Sequence, residues 1–421
     1  MSTIAQNELL AKIPVAELEA EIEKFVEPVT KRLPEQQLKQ VVRLAVRGIS
    51  GAQSPVIRQM ARCLERTEKG VWAMSKRFYG LLGTQRLSHR TLLKGLYAIA
   101  QRQVAQEQPD TLVVALDPVN FEKPYTKRLE GVSTVHKSTP PALDGQARLT
   151  SGYPAITAAL VKLAVPAITY ADWFSFTPDF VSQNWEIERA KRITHARFPH
   201  IPLRFVGDSG LDDQKFFRLA MRLHTHCIFR AQHNRCVEVY NERLFDLATF
   251  TPARKERQVT VQLGWLKIRF ADLPEPMWAL VVHQAEDDSD LVLLTTIPIS
   301  SAADTRLVYN QWRLRPSIEH TYRFDQEQGL DVEDMRVRSL EAMRRLFVLV
   351  LLTALFVAHL AHTWPQPAVH WLRSLGGKLG LPTDLDGLYL LLAGISFVFT
   401  TAATLSFALA HPFPFSSFTY G

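Results

Sequence analysis

Apolar positions in the first hundred residues recur at helical spacing. In VAELEAEIEKFVEPV, Val15, Leu18, Ile22 and Val26 predict an acidic helix within residues 1–30. Pro34 opens a second helix, EQQLKQVVRLAVRGI, which Gly48 and Gly51 are expected to end. SPVIRQMARCLER predicts a third, with Ser54 as N-cap and Pro55 at the first helical position. GVWAMSKRFYG and SHRTLLKGLYAIAQRQVAQ complete a bundle of short helices. From residue 110 the period changes. TLVVALD is a short apolar strand ending on a carboxylate, and YPAITAALVKLAVPAITYADWFSF predicts two further strands about a turn at Pro166. NWEIERAKRITHARF predicts a helix, PLRFVGDSG a strand ending at Asp208, LDDQKFFRLAMRLHTH a helix and CIFRAQHNR a strand. Three consecutive strands followed by strand–helix alternation predict a mixed α/β sheet. QVTVQLGWLKIRF and PMWALVVHQ, rich in β-branched and aromatic residues, predict a β-rich insertion from which LVLLTTI returns to the core. Helix resumes over residues 303–326, and the chain is strongly apolar from residue 340.

Charge adds a partner to this pattern. The 421-residue chain carries +7, but residues 31–100 hold 14 Lys/Arg against 3 Asp/Glu, a local balance of +11 that leaves −4 for the rest. A confined basic block suits a polyanion, because Lys and Arg release counterions from phosphate. GVWAMSKRFYG is the candidate recognition helix of a helix-turn-helix, with Lys76 and Arg77 as DNA contacts. With 47% hydrophobic residues the chain is not disordered in bulk, and three cysteines are too few for a disulfide scaffold. The N-terminus lacks the apolar run of a signal peptide.

Two predicted strand ends present carboxylates, Asp117 and Asp208, at the edge where open α/β sheets gather their sites. An acid there also serves as an ordinary turn former or helix cap, and Asp212 and Asp213 are read in that way. His224, His226 and His233 lie close together but lack a Cys pair at zinc-finger spacing.

The segment VYNQWRLRPSIEHTYRFDQEQGL gives the acids a context. With it, the sequence resembles the bacterial insertion-sequence DDE transposases, whose third acid lies in a signature of Tyr, two residues, Arg, three residues, Glu, six residues, Lys. Trp312, Arg315 and Glu319 match that spacing, with Trp in place of Tyr. The Lys position falls on Gln326, and Arg323 is the substitute contact. ALDPVNFEKPYTKRLEG, GYPAITAALV, FVGDSGLDDQKFF, HCIFRAQHNR and VLLTTIP resemble further segments of that family, so the likeness covers roughly residues 110–360. Pro316 fits if a helix starts afresh there with Glu319 close behind.

The resemblance implies a ribonuclease-H-like mixed α/β core. Its expected parts are a helical DNA-binding region over 1–105, catalytic core over 106–236 and 291–375, the β-rich insertion over 237–290 and an apolar helical tail over 376–421. Asp117, Asp208 and Glu319 would be both catalytic residues and ligands of Mg2+, which Mn2+ could replace. Lys123, Lys127, Arg315, Arg323, Lys76 and Arg77 would contact DNA. The implied partners are double-stranded DNA, both element ends and target, and a second copy forming a homodimer on it. The implied setting is a bacterial cytoplasm at the nucleoid. A junction-cleaving or repair nuclease would use the same acids, and a silent DNA-binding descendant would keep the fold without them. A membrane-anchored protein is the remaining alternative. It is raised by 13 uncharged residues before His359 and 23 from Leu388 to Ala410. The expectation is burial of these segments, with no membrane.

Overall fold

The computed structural model describes residues 14–124, 128–137, 148–176, 180–232, 235–250, 259–284, 289–316, 329–377 and 387–410. They belong to two compact units. One gathers Met1–Ile99, Phe121–Tyr153 and Thr321–Gly421; the other gathers Ala100–Asn120 and Pro154–His320.

The first unit begins with amphipathic helices. Helix α1 (Val15–Thr30) buries Leu18, Ile22, Phe25 and Val26. Helix α2 (Gln36–Ala52) runs through Gly48 and Gly51 instead of ending there. A Cβ on Gly48 would stand 3.1 Å from the Met60 Cβ, so that glycine seats the next helix closely. Gln53, left-handed at φ 51°, ends α2. Helix α3 (Ile57–Leu64) starts two residues later than Pro55, because the Ser54 hydroxyl accepts the Val56 N–H at 3.3 Å within the preceding turn. Three residues on, α4 (Glu68–Gly83) opens with the Thr67 side chain accepting the Gly70 N–H at 3.0 Å. α3 and α4 pack together across that short turn. Helix α5 (His89–Glu107) follows.

The sheet carries ten strands. They are β1 (Leu112–Glu122), β2 (Ser133–His136), β3 (Leu149–Leu160), β4 (Ala167–Trp173), β5 (Leu203–Gly207), β6 (His226–Arg230), β7 (Glu238–Phe250), β8 (Val259–Phe270), β9 (Leu273–Gln284) and β10 (Ser289–Thr295). Their order is β2-β3-β1-β5-β6-β10-β9-β8-β7, and β4 also pairs with β3. β1, β5 and β6 are parallel, whereas β10 joins β6 antiparallel, so the sheet is mixed as its three consecutive strands and later alternation predicted. The insertion strands β7–β9 continue this sheet beyond β10. β1 runs on through Pro118 to Glu122, longer than its apolar run suggested. Pro118 lies past the last rung with β5, where a missing N–H costs no ladder bond on that side. At the far end of β1, within the first unit, a Cβ on Gly152 would stand 2.4 Å from the Phe121 carbonyl, so only glycine admits that approach.

In the second unit, helices α6 (Gln183–Arg197) and α7 (Gln214–Arg222) cover the apolar sheet residues. Lys191 is wholly buried there. Its ammonium donates to the Phe216 carbonyl at 2.8 Å and the Cys227 thiol at 3.1 Å. Helix α8 (Ala302–Trp312) closes this unit's described part apart from the turn after it.

The first unit resumes with α9 (Leu340–Thr363), α10 (Gln366–Gly376) and α11 (Gly387–Ala410). α9 packs on α1, α2 and α4, with Phe356 against Phe25 at 5.7 Å. Among the described residues it is the helix long and apolar enough to cross a membrane, and 78% of its apolar window is buried within the protein. α10 and α11 cross at two glycines. A Cβ on Gly376 would meet the Leu390 carbonyl at 2.0 Å, and one on Gly394 the Leu372 carbonyl at 1.9 Å.

Candidate active site

Parallel register sets the site. On β1 and β5, Ala115 stands opposite Val206; on β5 and β6, Val206 stands opposite Ile228. Two residues beyond that shared rung lie Asp117, Asp208 and Arg230. Neighbouring strands lie about 4.8 Å apart, so the backbone brings these three residues to one level across three adjacent strands. Asp208 and Arg230 are both about half exposed, with Arg230 Nη1 4.0 Å from Asp208 Oδ1. The Asp208 carboxylate also accepts the Ser209 N–H at 2.8 Å, which orients it at the head of the turn Ser209–Leu211.

The support under Asp208 is steric and polar. A Cβ on Gly207 would lie 2.1 Å from Leu211 Cδ1, so the strand leaves its last rung through a residue without a side chain. The carbonyl of Gly207 accepts the Trp312 indole N–H at 3.2 Å. Trp312 is therefore an anchor that fixes the end of α8 beside the end of β5. Arg313–Arg315 form a turn and Pro316 is again helical, as a fresh helix start requires. Glu319 lies three residues further on, outside the described residues. Arg315 is half-buried, with its guanidinium 5.8 Å from the Trp312 ring centre.

The other expected DNA contacts divide. Lys76 and Arg77 are exposed on α4 in the first unit, with the Lys76 ammonium 3.6 Å from the Trp72 ring centre. Lys127 and Arg323 lie outside the described residues. Lys123 is a correction: it is 4% exposed, and its ammonium donates to the carbonyls of Val332, Glu333 and Met335. Burial pushes it down to about 8, against the upward pull of Glu333, Asp334 and Asp331. A side chain so engaged is part of the fold and cannot also lie on phosphate.

Of the neighbouring acids, Asp213 caps α7 by accepting the Lys215 N–H at 2.8 Å. Asp212 is buried and paired with Arg235 Nε at 2.9 Å, while accepting the Gln232 N–H at 2.8 Å. His226 turns its Nδ1 to Thr296, and burial lowers its pKa. Among the described residues no three His, Cys, Asp or Glu side chains gather as a metal cage. The strand-end donors are carboxylates alone, without thiol or imidazole, which suits a hard cation such as magnesium and not zinc. Arg230 was missed in the sequence because its place beside Asp208 comes from inter-strand register, which no residue spacing encodes.

No protein-family model matches the sequence. No curated protein matches it either. A solved structure, the cryo-EM structure of a piggyBac transposase synaptic complex with hairpin DNA, is similar over 98% of this chain and 83% of that one, at 9% identity and a TM-score of 0.43. A likeness at that score is too loose to assign fold or chemistry.

Proposed function

We propose that this protein is a transposase of the DDE type with a ribonuclease-H-like core. It would cut DNA at the ends of a mobile element and join the freed 3′ ends to target DNA. The observation that carries the reading is the level placement of Asp117 and Asp208 past one rung of adjacent parallel strands. The turn after Trp312 and the helical Pro316 support it, since they lead the chain toward Glu319 from a helix anchored at Gly207.

Asp117, Asp208 and Glu319 would hold magnesium. When bound, such ions activate the attacking oxygen and stabilise the leaving one during in-line displacement at phosphorus. In the first step a water oxygen bonds to phosphorus while the bond to the 3′ oxygen breaks. The water proton passes to solvent and the leaving oxygen becomes a 3′ hydroxyl. In the second step that hydroxyl attacks a target phosphodiester, releasing the target's own 3′ oxygen. The chain's residues keep the carboxylates in register, and the exposed cations of α4 would grip duplex phosphate.

The test is a cleavage assay on duplex DNA carrying the sequences that flank the gene, with magnesium chloride. Asp117→Asn, Asp208→Asn and Glu319→Gln should each cut at least about a thousandfold more slowly, since each loses a metal-ligand charge while keeping its size. Affinity for the same duplex should change little. Normal cutting by all three variants would refute the mechanism.

A further inference from the structure

Arg230 has no part in the fold that explains its position. Its backbone is fixed on both sides: Phe229, the residue before it, stands opposite Gly207 of β5, and Arg230 itself stands opposite Leu293 of β10. Its side chain leaves the sheet at the level of Asp208. A half-exposed pair at 4.0 Å contributes little to stability, because solvent screens it and both side chains lose freedom. The guanidinium is thus held at its base and half exposed at its fork, which has five donors suited to phosphate oxygens. Beside it opens a cavity of about 340 Å³ whose lining includes Arg230, Gln232, Arg235 and Asp290 together with apolar residues such as Leu266 and Val292. A guanidinium at the third place of that level supplies fixed positive charge and donors where the phosphodiester would sit beside the carboxylates.

We propose that Arg230 is a catalytic residue of this centre, its guanidinium holding a non-bridging oxygen of the phosphodiester that is cut before Asp117 and Asp208. The proposal rests on the nuclease reading above. No bond to Arg230 forms or breaks; it donates hydrogen bonds to a group whose negative charge shifts during displacement.

The experiment maps the cut linkage with the wild-type full chain. It then compares two duplexes in calcium chloride, one natural and one with a single uncharged methylphosphonate at that linkage. Wild type should bind the methylphosphonate duplex about tenfold more weakly, the size of one charge-assisted contact. Arg230→Gln should bind the natural duplex about tenfold more weakly and lose nothing further with the methylphosphonate. Arg230→Lys should keep part of the discrimination, as a point charge does without the fork. All three proteins should melt at nearly the same temperature. Additive losses in Arg230→Gln, or undiminished cutting by it, would overturn the role of Arg230 alone. A wild type that neither binds nor cuts the natural duplex would overturn the nuclease reading with it.

Discussion

Past the last rung that β1 shares with β5, and at the ends of β5 and β6, backbone ladders place Asp117, Asp208 and Arg230 before any side chain has chosen a rotamer. On α4, by contrast, Lys69, Trp72, Lys76 and Tyr79 stand on the outer face of one helix whose Val71, Met74 and Phe78 face inward. Trp72 is 62% exposed and Tyr79 51%. The first arrangement fixes the backbone from which each charge departs, as the proposed reaction at phosphorus requires. The second presents charge and aromatic surface on long side chains, sufficient for neutralising phosphates whose exact position does not matter. The comparison teaches that sign alone does not mark a DNA contact. What matters is whether the backbone or only the side chain locates it.

The sharpest way to test the contrast is inside the strand-end loop itself. Asp212→Ala removes the buried carboxylate that Arg235 and the Gln232 N–H share, leaving Arg235 its bond to the residue 212 carbonyl, so urea denaturation should show a loss of about 3 kcal/mol. Asp208→Asn, four residues earlier and half exposed, should leave the midpoint almost unchanged. Equal effects from the two would erase the distinction between an acid of the fold and an acid of the chemistry.

Lys123 belongs to neither surface, and its titration should say so. Its folded value of about 8 lies below the ordinary 10.5. Between those values the unfolded chain holds a proton that the folded chain has released, so stability rises with pH across the window and the gain is lost as pH falls through 8. Relative to Lys123→Met, wild type should gain on the order of 2–3 kcal/mol between pH 7 and pH 10. A constant gap would mean that the ammonium is solvated after all.

Trp312→Phe keeps the ring and removes the donor to the Gly207 carbonyl. It should cost about 1–3 kcal/mol in stability and slow cutting, without changing affinity for the duplex. The smallest effects belong to α4. A Cβ on Gly80 would meet nothing within 4 Å. Gly80→Ala should therefore stabilise the chain by up to about 1 kcal/mol through helix propensity. If this face meets DNA closely, the same change should weaken binding. Lys76→Ala should reduce the slope of log affinity against log salt by about 1. Weaker binding with an unchanged slope would remove Lys76 from the phosphate contacts.

Much of this was legible in the sequence. The apolar runs at Leu112–Leu116 and Leu203–Val206 read as buried strands because parallel strands are covered on both faces. Asp208 stood out because a glycine and a turn surround it. The break before Pro316 followed from proline's missing N–H. What was not legible depends on neighbours far along the chain. Lys123 looked like a cation in a polar loop until the carbonyls of residues 332–335 closed on it. Lys191 sat in an ordinary amphipathic helix until the thiol of Cys227 met it across the sheet. Gly48 and Gly51 looked like helix stops because composition cannot show that a second helix needs the space a side chain would fill.

The first unit is assembled from three stretches of chain, while the second is complete once residue 320 has been made. Synthesis therefore finishes the sheet-bearing unit early. Helices α1 to α4 can pack on one another at once, but the apolar surface that α9 covers stays open until α9 emerges. At about 5–20 residues per second that wait lasts on the order of ten seconds or more. A nascent chain in that interval needs a chaperone's shelter more than the finished protein does. Deleting the first hundred residues would also strip α9 of the surfaces it packs on, yielding a sticky remnant in place of a trimmed protein.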